Sequence, residues 1–125
     1  MITKEEVFLI HHEVLKLHGG ANGVRDTGGL ESAIARPYQT FEETDLYPTC
    51  FEKAAAIGES IIMNHPFIDG NKRTGYVLME LLLRIEGLKI NAADDGLYTF
   101  VINISTGEIK FEQIVDWLKQ NTSSL

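Results

Sequence analysis

The sequence predicts an all-α fold: a single bundle of about six helices. Three observations point to it. Apolar residues recur at three- and four-residue spacing in most segments. Helix starts and stops fall between those segments, written in Thr, Asp, Gly and Pro. And 125 residues fit one domain with one core, with no room for two.

The first helix opens at Thr3, with Glu6 completing a T-x-x-E capping box. Val7, Ile10, Val14 and Leu17 then fall on one face. Gly19-Gly20 stops it. The segment Gly19 to Gly29 holds five glycines and no period, so it reads as loop. A short helix follows from Leu30 to Ala35, ended by Arg36-Pro37, because the residue before proline avoids the helical region. Tyr38 to Pro48 has no period and carries Glu42, Glu43 and Asp45; it reads as an ordered surface loop or flap.

Phe51, Ala54, Ala55, Gly58, Ile61 and Ile62 outline an amphipathic helix. It must end near Asn64, ahead of Pro66. From Asn71 to Glu86 the chain is apolar on nearly every side, which predicts a buried central helix stopped at Gly87. Leu88 to Asn91 reads as briefly extended. Asp94-Asp95 start a helix with Leu97, Phe100, Val101 and Ile104 on its face, and Ser105-Thr106-Gly107 turns out of it. Phe111, Ile114, Val115 and Leu118 face the core from a last helix, and Thr122-Ser123-Ser124 reads as a frayed tail.

Composition narrows the function classes. The chain is 44% apolar and 23% charged, close to the globular average, which excludes a largely disordered chain and a coiled-coil rod. Its longest apolar runs are three or four residues, against the ~20 that span a bilayer, and no secretory signal pattern opens it. Eleven basic against eighteen acidic side chains leave a net charge of −7, a poor balance for direct nucleic-acid binding. One cysteine, Cys50, forbids an internal disulfide and fits a reducing cytoplasm.

One stretch carries chemistry: His65-Pro66-Phe67-Ile68-Asp69-Gly70-Asn71-Lys72-Arg73. A helix ends, a turn follows and a buried helix begins near Asn71. That start offers unpaired backbone N–H groups and a positive dipole end. Lys72 and Arg73 add two cations in a first turn that normally favours acids, at about 0.3–1 kcal/mol each. A bound anion such as a phosphate chain would compensate. Asp69 beside phosphates suits Mg²⁺, which takes one or two carboxylates plus phosphate oxygens. The imidazole of His65 can accept a proton from a hydroxyl. A base, a metal anchor and a phosphate cradle within nine residues are the parts for transfer from a nucleotide to a hydroxyl.

These nine residues resemble the signature of the Fic/Doc superfamily, H-P-F-x-[D/E]-G-N-[G/K]-R-x-x-R. Lys72, where Fic enzymes have glycine, points to the Doc (death-on-curing) branch. The Gly-rich loop ending in Arg25-Asp26, the segments Leu30 to Ala33 and Ala35 to Pro37, and Glu52 to Ala55 also resemble Doc-type toxins, so the resemblance covers residues 1–125 as one Fic/Doc domain. Tyr76 departs from the Fic pattern, which has a second arginine there to hold nucleotide phosphates; this speaks against AMP transfer. The resemblance implies a Mg²⁺- and ATP-dependent transfer of the terminal phosphate to a Ser/Thr hydroxyl, with a threonine of elongation factor Tu as the target and arrested translation as the result. His65 would be the base and Asp69 the Mg²⁺ ligand. Gly70 and Asn71 would hold phosphate through backbone and side-chain donors, and Lys72 and Arg73 would neutralise developing charge. Pro66 and Phe67 would be structural, Phe67 pointing into the core. The [S/T]-x-x-x-E-[G/N] pattern of inhibitory Fic helices is missing: Glu86-Gly87 is preceded by Leu82 where Ser or Thr is required. The implied partner is instead a separate Phd-like antitoxin whose disordered segment folds on binding. The alternatives are a Fic-type nucleotidyltransferase and a non-catalytic partner-binding module.

Other residues carry blander expectations. His11, His12 and His18 lack a set of metal partners and read as structural or surface residues. Half a zinc site at His65 and Asp69 lacks further ligands. Cys50 reads as inert, and Trp117 and Tyr98 as core or rim aromatics. Glu42, Glu43 and Asp45 read as a solvated face, or as a flap that aligns a protein target. Arg25 and Arg36 either assist docking or make structural salt bridges.

Overall fold

A computed structural model describes residues 1–125. Six α-helices run in the order α1 (Lys4–His18), α2 (Thr27–Ala35), α3 (Cys50–Asn64), α4 (Asn71–Ile85), α5 (Asp94–Thr106) and α6 (Phe111–Gln120). A 3₁₀ turn at Arg36–Tyr38 follows α2. Two small antiparallel pairs complete the chain: β1 (Thr40–Phe41) with β2 (Thr44–Asp45), and β3 (Leu88–Ile90) with β4 (Thr122–Ser124).

The caps explain where the helices begin. Thr3 Oγ1 accepts from Glu6 N, and the Glu6 carboxylate accepts from Thr3 N at 2.9 Å, so both halves of the capping box form. These hydrogen bonds from Thr3 hold the Glu6 carboxyl below its ordinary value. The α2 helix starts three residues earlier than the glycines suggest. Asp26 caps it, accepting from Gly29 N at 2.9 Å, and that bond offsets the weak helix preference of Gly28 and Gly29. On α1, Leu17 does not face the core; it is 76% exposed, and His11 takes the inward place beside Val7 and Val14.

The core is one cluster in which α3 and α4 form the central pair. The helix after the motif is central, as its composition suggests, and α3 beside it is buried on still more sides. Their close approach rests on two glycines. A Cβ on Gly75 would lie 2.6 Å from Ile62 Cγ1, and one on Gly58 would lie 2.4 Å from Met79 Sδ. The crossing sets the end of α3 and the start of α4 in fixed relation, with six residues, His65 to Gly70, between them.

Arg36 ties the periphery to this pair. Its guanidinium donates to Tyr47 Oη, to Ala56 O and to Ser60 Oγ, and meets Glu59 at 3.0 Å. It also lies 5.4 Å from the ring centroids of both Tyr47 and Phe111. Burial works against its charge, but the Tyr47 and Glu59 contacts outweigh it and hold the group charged. Of the two readings open for Arg36, the structural salt bridge is the one formed.

The Tyr38 to Pro48 segment is a hairpin. Its two-residue turn places Glu42 at φ 50° and Glu43 at φ 67°, the positive angles of a type I′ turn that Asn-Gly normally fills. Asp45 approaches Lys53 at 3.6 Å, and Lys53 also donates to Tyr47 O. At the other end of the chain, Thr122–Ser124 is not frayed. It pairs with β3 in the register Leu88↔Ser124, Lys89↔Ser123 and Ile90↔Thr122. No helix is long and apolar enough to cross a membrane.

Candidate active site

The nine-residue motif forms one continuous site over the start of α4. His65 ends α3 in the left-handed conformation, φ 49° and ψ 56°, which costs a non-glycine residue about 1–2 kcal/mol. Arg25 holds it there. Its Nε donates to His65 O at 2.7 Å and its Nη2 to Asn64 O at 2.5 Å, so the arginine caps carbonyls that α3 leaves open. The backbone N–H groups of Arg25 and Asp26 both donate to Pro66 O, at 2.8 and 3.0 Å. Arg25 forms no salt bridge; its side chain braces the motif turn.

Behind the turn, Phe67 is buried, as expected, and its ring stacks on His11 with centroids 3.7 Å apart. His11 is only 3% exposed, and its Nε2 donates to Asp69 O at 2.8 Å. Ile68 N donates to Gly23 O at 3.0 Å. Gly23 has φ +125°, and a Cβ there would meet Ile68 at 2.9 Å, so only glycine lets the loop run this close.

Asn71 is buried, with 7% exposure, and works inside the turn. Its Oδ1 accepts from Phe67 N at 3.0 Å and its Nδ2 donates to Phe67 O at 2.9 Å. This clasp holds the amide against the loop with one of the two Nδ2 hydrogens and leaves the Asn71 backbone N–H without an acceptor in the chain. Gly70 precedes it at φ 80° and supplies no side-chain cap. Consequently the N–H groups of Asn71, Lys72 and Arg73 have no acceptor in the chain.

The charged members of the motif stay free. Lys72 and Arg73 are exposed and take part in none of the salt bridges. Asp69 Oδ2 accepts from Ala21 N at 2.7 Å, and Oδ1 has no partner. His65 is exposed, and its ring makes no hydrogen bond within the chain. His65, Ile68, Asp69, Gly70, Asn71, Lys72 and Arg73 line a pocket of ≈ 300 Å³. Its lining is almost wholly polar, with N–H groups, two cations and one open carboxylate oxygen. That is the donor set for a phosphate chain. No group of three or more His, Cys, Asp or Glu side chains could hold a metal ion by itself. Asp69 fits Mg²⁺ in the way that ion is usually held, one carboxylate with phosphate oxygens completing the shell.

A sequence model of the Fic/DOC family matches residues 1–83, more than half the chain. The chain belongs to the Fic/DOC family. Among its relatives, Toxin Doc of Mycolicibacterium smegmatis is 43% identical over 77 residues, which is 62% of this chain and 59% of that protein's length. Protein kinase doc of Escherichia phage P1 is 31% identical over 122 residues, 95% of this chain and 93% of that protein. The all-α bundle with its motif at the start of a central helix is consistent with the Fic/DOC fold.

Within this Fic/DOC site, sequence reading allowed structural roles for Arg25 and His11 but not their partners in the motif turn. Arg25 left no local signal, because its partners lie 39 and 40 residues away. His11 did leave one: Val7, His11 and Val14 share a helix face at spacings of four and three. His12 and His18 are exposed. Cys50 is half-buried, and burial together with Glu86 pushes its thiol up, so it stays protonated and unreactive near neutral pH. Trp117 stacks on Phe100 at 3.7 Å, and Tyr98 is exposed.

Proposed function

We propose that this chain is a Doc-type toxin of a toxin–antitoxin pair, and that it transfers the terminal phosphate of ATP to a Ser/Thr hydroxyl of a protein. The observation that supports this most is the start of α4. Three N–H groups without acceptors stand beside two unpaired cations, with an open carboxylate oxygen and a free imidazole on the rim. The names of the two relatives, a toxin and a protein kinase, support the same reading.

The reaction uses these groups as follows. The target hydroxyl oxygen bonds to the γ-phosphorus as the bond from that phosphorus to the β–γ bridging oxygen breaks, and ADP leaves. A ring nitrogen of His65 takes the hydroxyl proton, a role worth about 10²–10⁴-fold. Lys72, Arg73 and the N–H groups of the helix start stabilise charge on the transferring oxygens. Asp69 would hold Mg²⁺, whose contribution is to screen phosphate charge. The target in this reading is elongation factor Tu, so translation stops. The partner is a Phd-like antitoxin whose segment folds on binding, and both act in the cytoplasm.

The test uses ATP labelled at either the α- or the γ-phosphate, with Mg²⁺, elongation factor Tu and a His65→Ala control. Label arriving from γ alone, and lost in the variant, supports phosphate transfer. Label arriving from α replaces this reading with nucleotidyl transfer, which the phenol of Tyr76 disfavours because it offers no cation for a pyrophosphate. Label from neither, with the chain still binding its antitoxin, replaces it with a partner-binding module.

A further inference from the structure

Residues 20–23 run along the motif turn and are fastened to it on both sides of Asn22. A Cβ on Gly20 would lie 3.2 Å from Asp69 Cβ. Ala21 N donates to Asp69 Oδ2 at 2.7 Å, and Gly23 O accepts from Ile68 N at 3.0 Å. Val24 then pairs with Phe67 in an antiparallel bridge. Between these anchors Asn22 is exposed, and its side-chain amide makes no hydrogen bond within the chain. The Gly23 N–H has no acceptor in the chain either. Of the six asparagines, Asn22 alone precedes a glycine. The side chain that would crowd the following nitrogen is therefore missing at this asparagine alone.

We propose that Asn22 is a site of self-modification, where deamidation gives a β-linked aspartate and loosens the brace on Asp69. The Gly23 nitrogen gives its proton to solvent and attacks Asn22 Cγ. The bond from Cγ to Gly23 N forms, the bond from Cγ to the side-chain nitrogen breaks, and ammonia leaves with a proton from water. The product is a cyclic succinimide. Water then adds to one of the two ring carbonyls, and the bond from that carbonyl to Gly23 N breaks. Opening at Cγ gives an ordinary aspartate. Opening at the main-chain carbonyl leaves Gly23 N on Cγ, so the backbone runs through Cβ and is one carbon longer. Water is the only co-reactant, and nothing is oxidised or reduced. Both products carry a new carboxylate in the segment that holds Asp69. The longer backbone lies between Ala21 N and Gly23 O, so the two anchors no longer reach Asp69 and Ile68 in the same register. An older molecule thus holds the motif turn less firmly than a new one. This modification goes beyond the phosphate-transfer reading and does not depend on it.

The test ages the full chain in buffer and follows it by peptide mapping, which separates the Asn, Asp and β-linked forms of each segment. Amide hydrogen exchange is read by NMR on the same samples. Asn22 should convert before any other asparagine, with the β-linked form among the products. In converted molecules the Ile68 N–H should exchange about fivefold faster or more, as the loss of one hydrogen bond implies. The N–H of Leu78, a fully buried core residue, should keep its protection. Asn22→Gln, aged alongside, should keep both, because the larger ring it would need closes far more slowly. Conversion at Asn22 no faster than at the other asparagines overturns the proposal. Unchanged Ile68 exchange in the converted chain overturns it as well. Equal loss of Ile68 protection in Asn22→Gln does the same, since the cause would then lie elsewhere. Leu78 losing protection along with Ile68 replaces a local loosening with general unfolding. Every readout is independent of label transfer, so failure here leaves the phosphate-transfer reading standing, and the reverse.

Discussion

Two sites of positive charge in this molecule are built in opposite ways. Arg36 is half-buried and surrounded by partners: Tyr47, Ala56 O, Glu59, Ser60 and two aromatic faces. Lys72 and Arg73 are exposed, stand against a helix dipole, and have no carboxylate partner. The first arrangement uses charge to hold the fold together. The second leaves charge unsatisfied by the fold, which makes it available to a ligand. Cations that cost the helix stability and gain nothing from neighbours are better explained by what they bind than by what they support.

The largest expected difference follows from this contrast. Lys72→Ala or Arg73→Ala should each lower label transfer about 10²–10³-fold, while thermal melting shows stability unchanged or raised by about 0.3–1 kcal/mol. A marked loss of stability in either variant would erase the distinction. Arg36→Ala should do the reverse. Removing one partner of a buried ion pair costs about 3–5 kcal/mol; with roughly a quarter of each side chain exposed, about 2–3 kcal/mol in urea unfolding is expected, with Mg-ATP affinity of the folded protein retained.

Smaller effects sharpen the contrast around the motif and the hairpin. His11→Phe keeps the stack on Phe67 and removes the hydrogen bond to Asp69 O. It should cost about 1 kcal/mol of stability and raise the Mg²⁺ concentration needed for half-maximal transfer, because the Asp69 peptide loses its anchor. Glu43→Gly should stabilise the chain by about 1 kcal/mol, read as a higher melting temperature, because the turn demands a positive φ at that position. The smallest effect is at the first cap. The Glu6 carboxyl is held below its ordinary value by Thr3, so its stabilising contribution is present above the ordinary carboxylate range and is lost as pH falls through the lowered value. Glu6→Gln should therefore flatten the acid side of the melting-temperature profile slightly.

Local chemistry was legible in the sequence, and distant support was not. The capping box at Thr3 and Glu6 and the stop before Pro66 are each written within a few consecutive residues, and each formed as read; the motif, equally local, forms one continuous turn over the start of α4. The start of α2 was obscured because Gly28 and Gly29 argue for loop, while the cap on Asp26 overrides them. Leu17 and His11 traded places because a polar ring can enter a core once it has a partner, and that partner, Asp69 O, lies 58 residues away. Thr122–Ser124 lacks any apolar alternation to signal a strand, yet it pairs with β3. The same limit applies to the site. The motif names His65 and Asp69, but what fixes them, Arg25, Gly23 and Ala21, comes from a segment whose sequence says only that it can bend.

The pairing of β3 with β4 also sets an order of events during synthesis. Every contact described for the motif turn is made by residues 11–73, which leave the ribosome well before residues 122–124. Domains tend to form from the N-terminal side as the chain is made. Yet Phe100, Ile104, Ile114 and Leu118 supply part of the cluster on which α3 and α4 rest, and β4 joins β3 only after α6 has been made. The motif turn is thus synthesised before the part of its frame that α5, α6 and β4 supply.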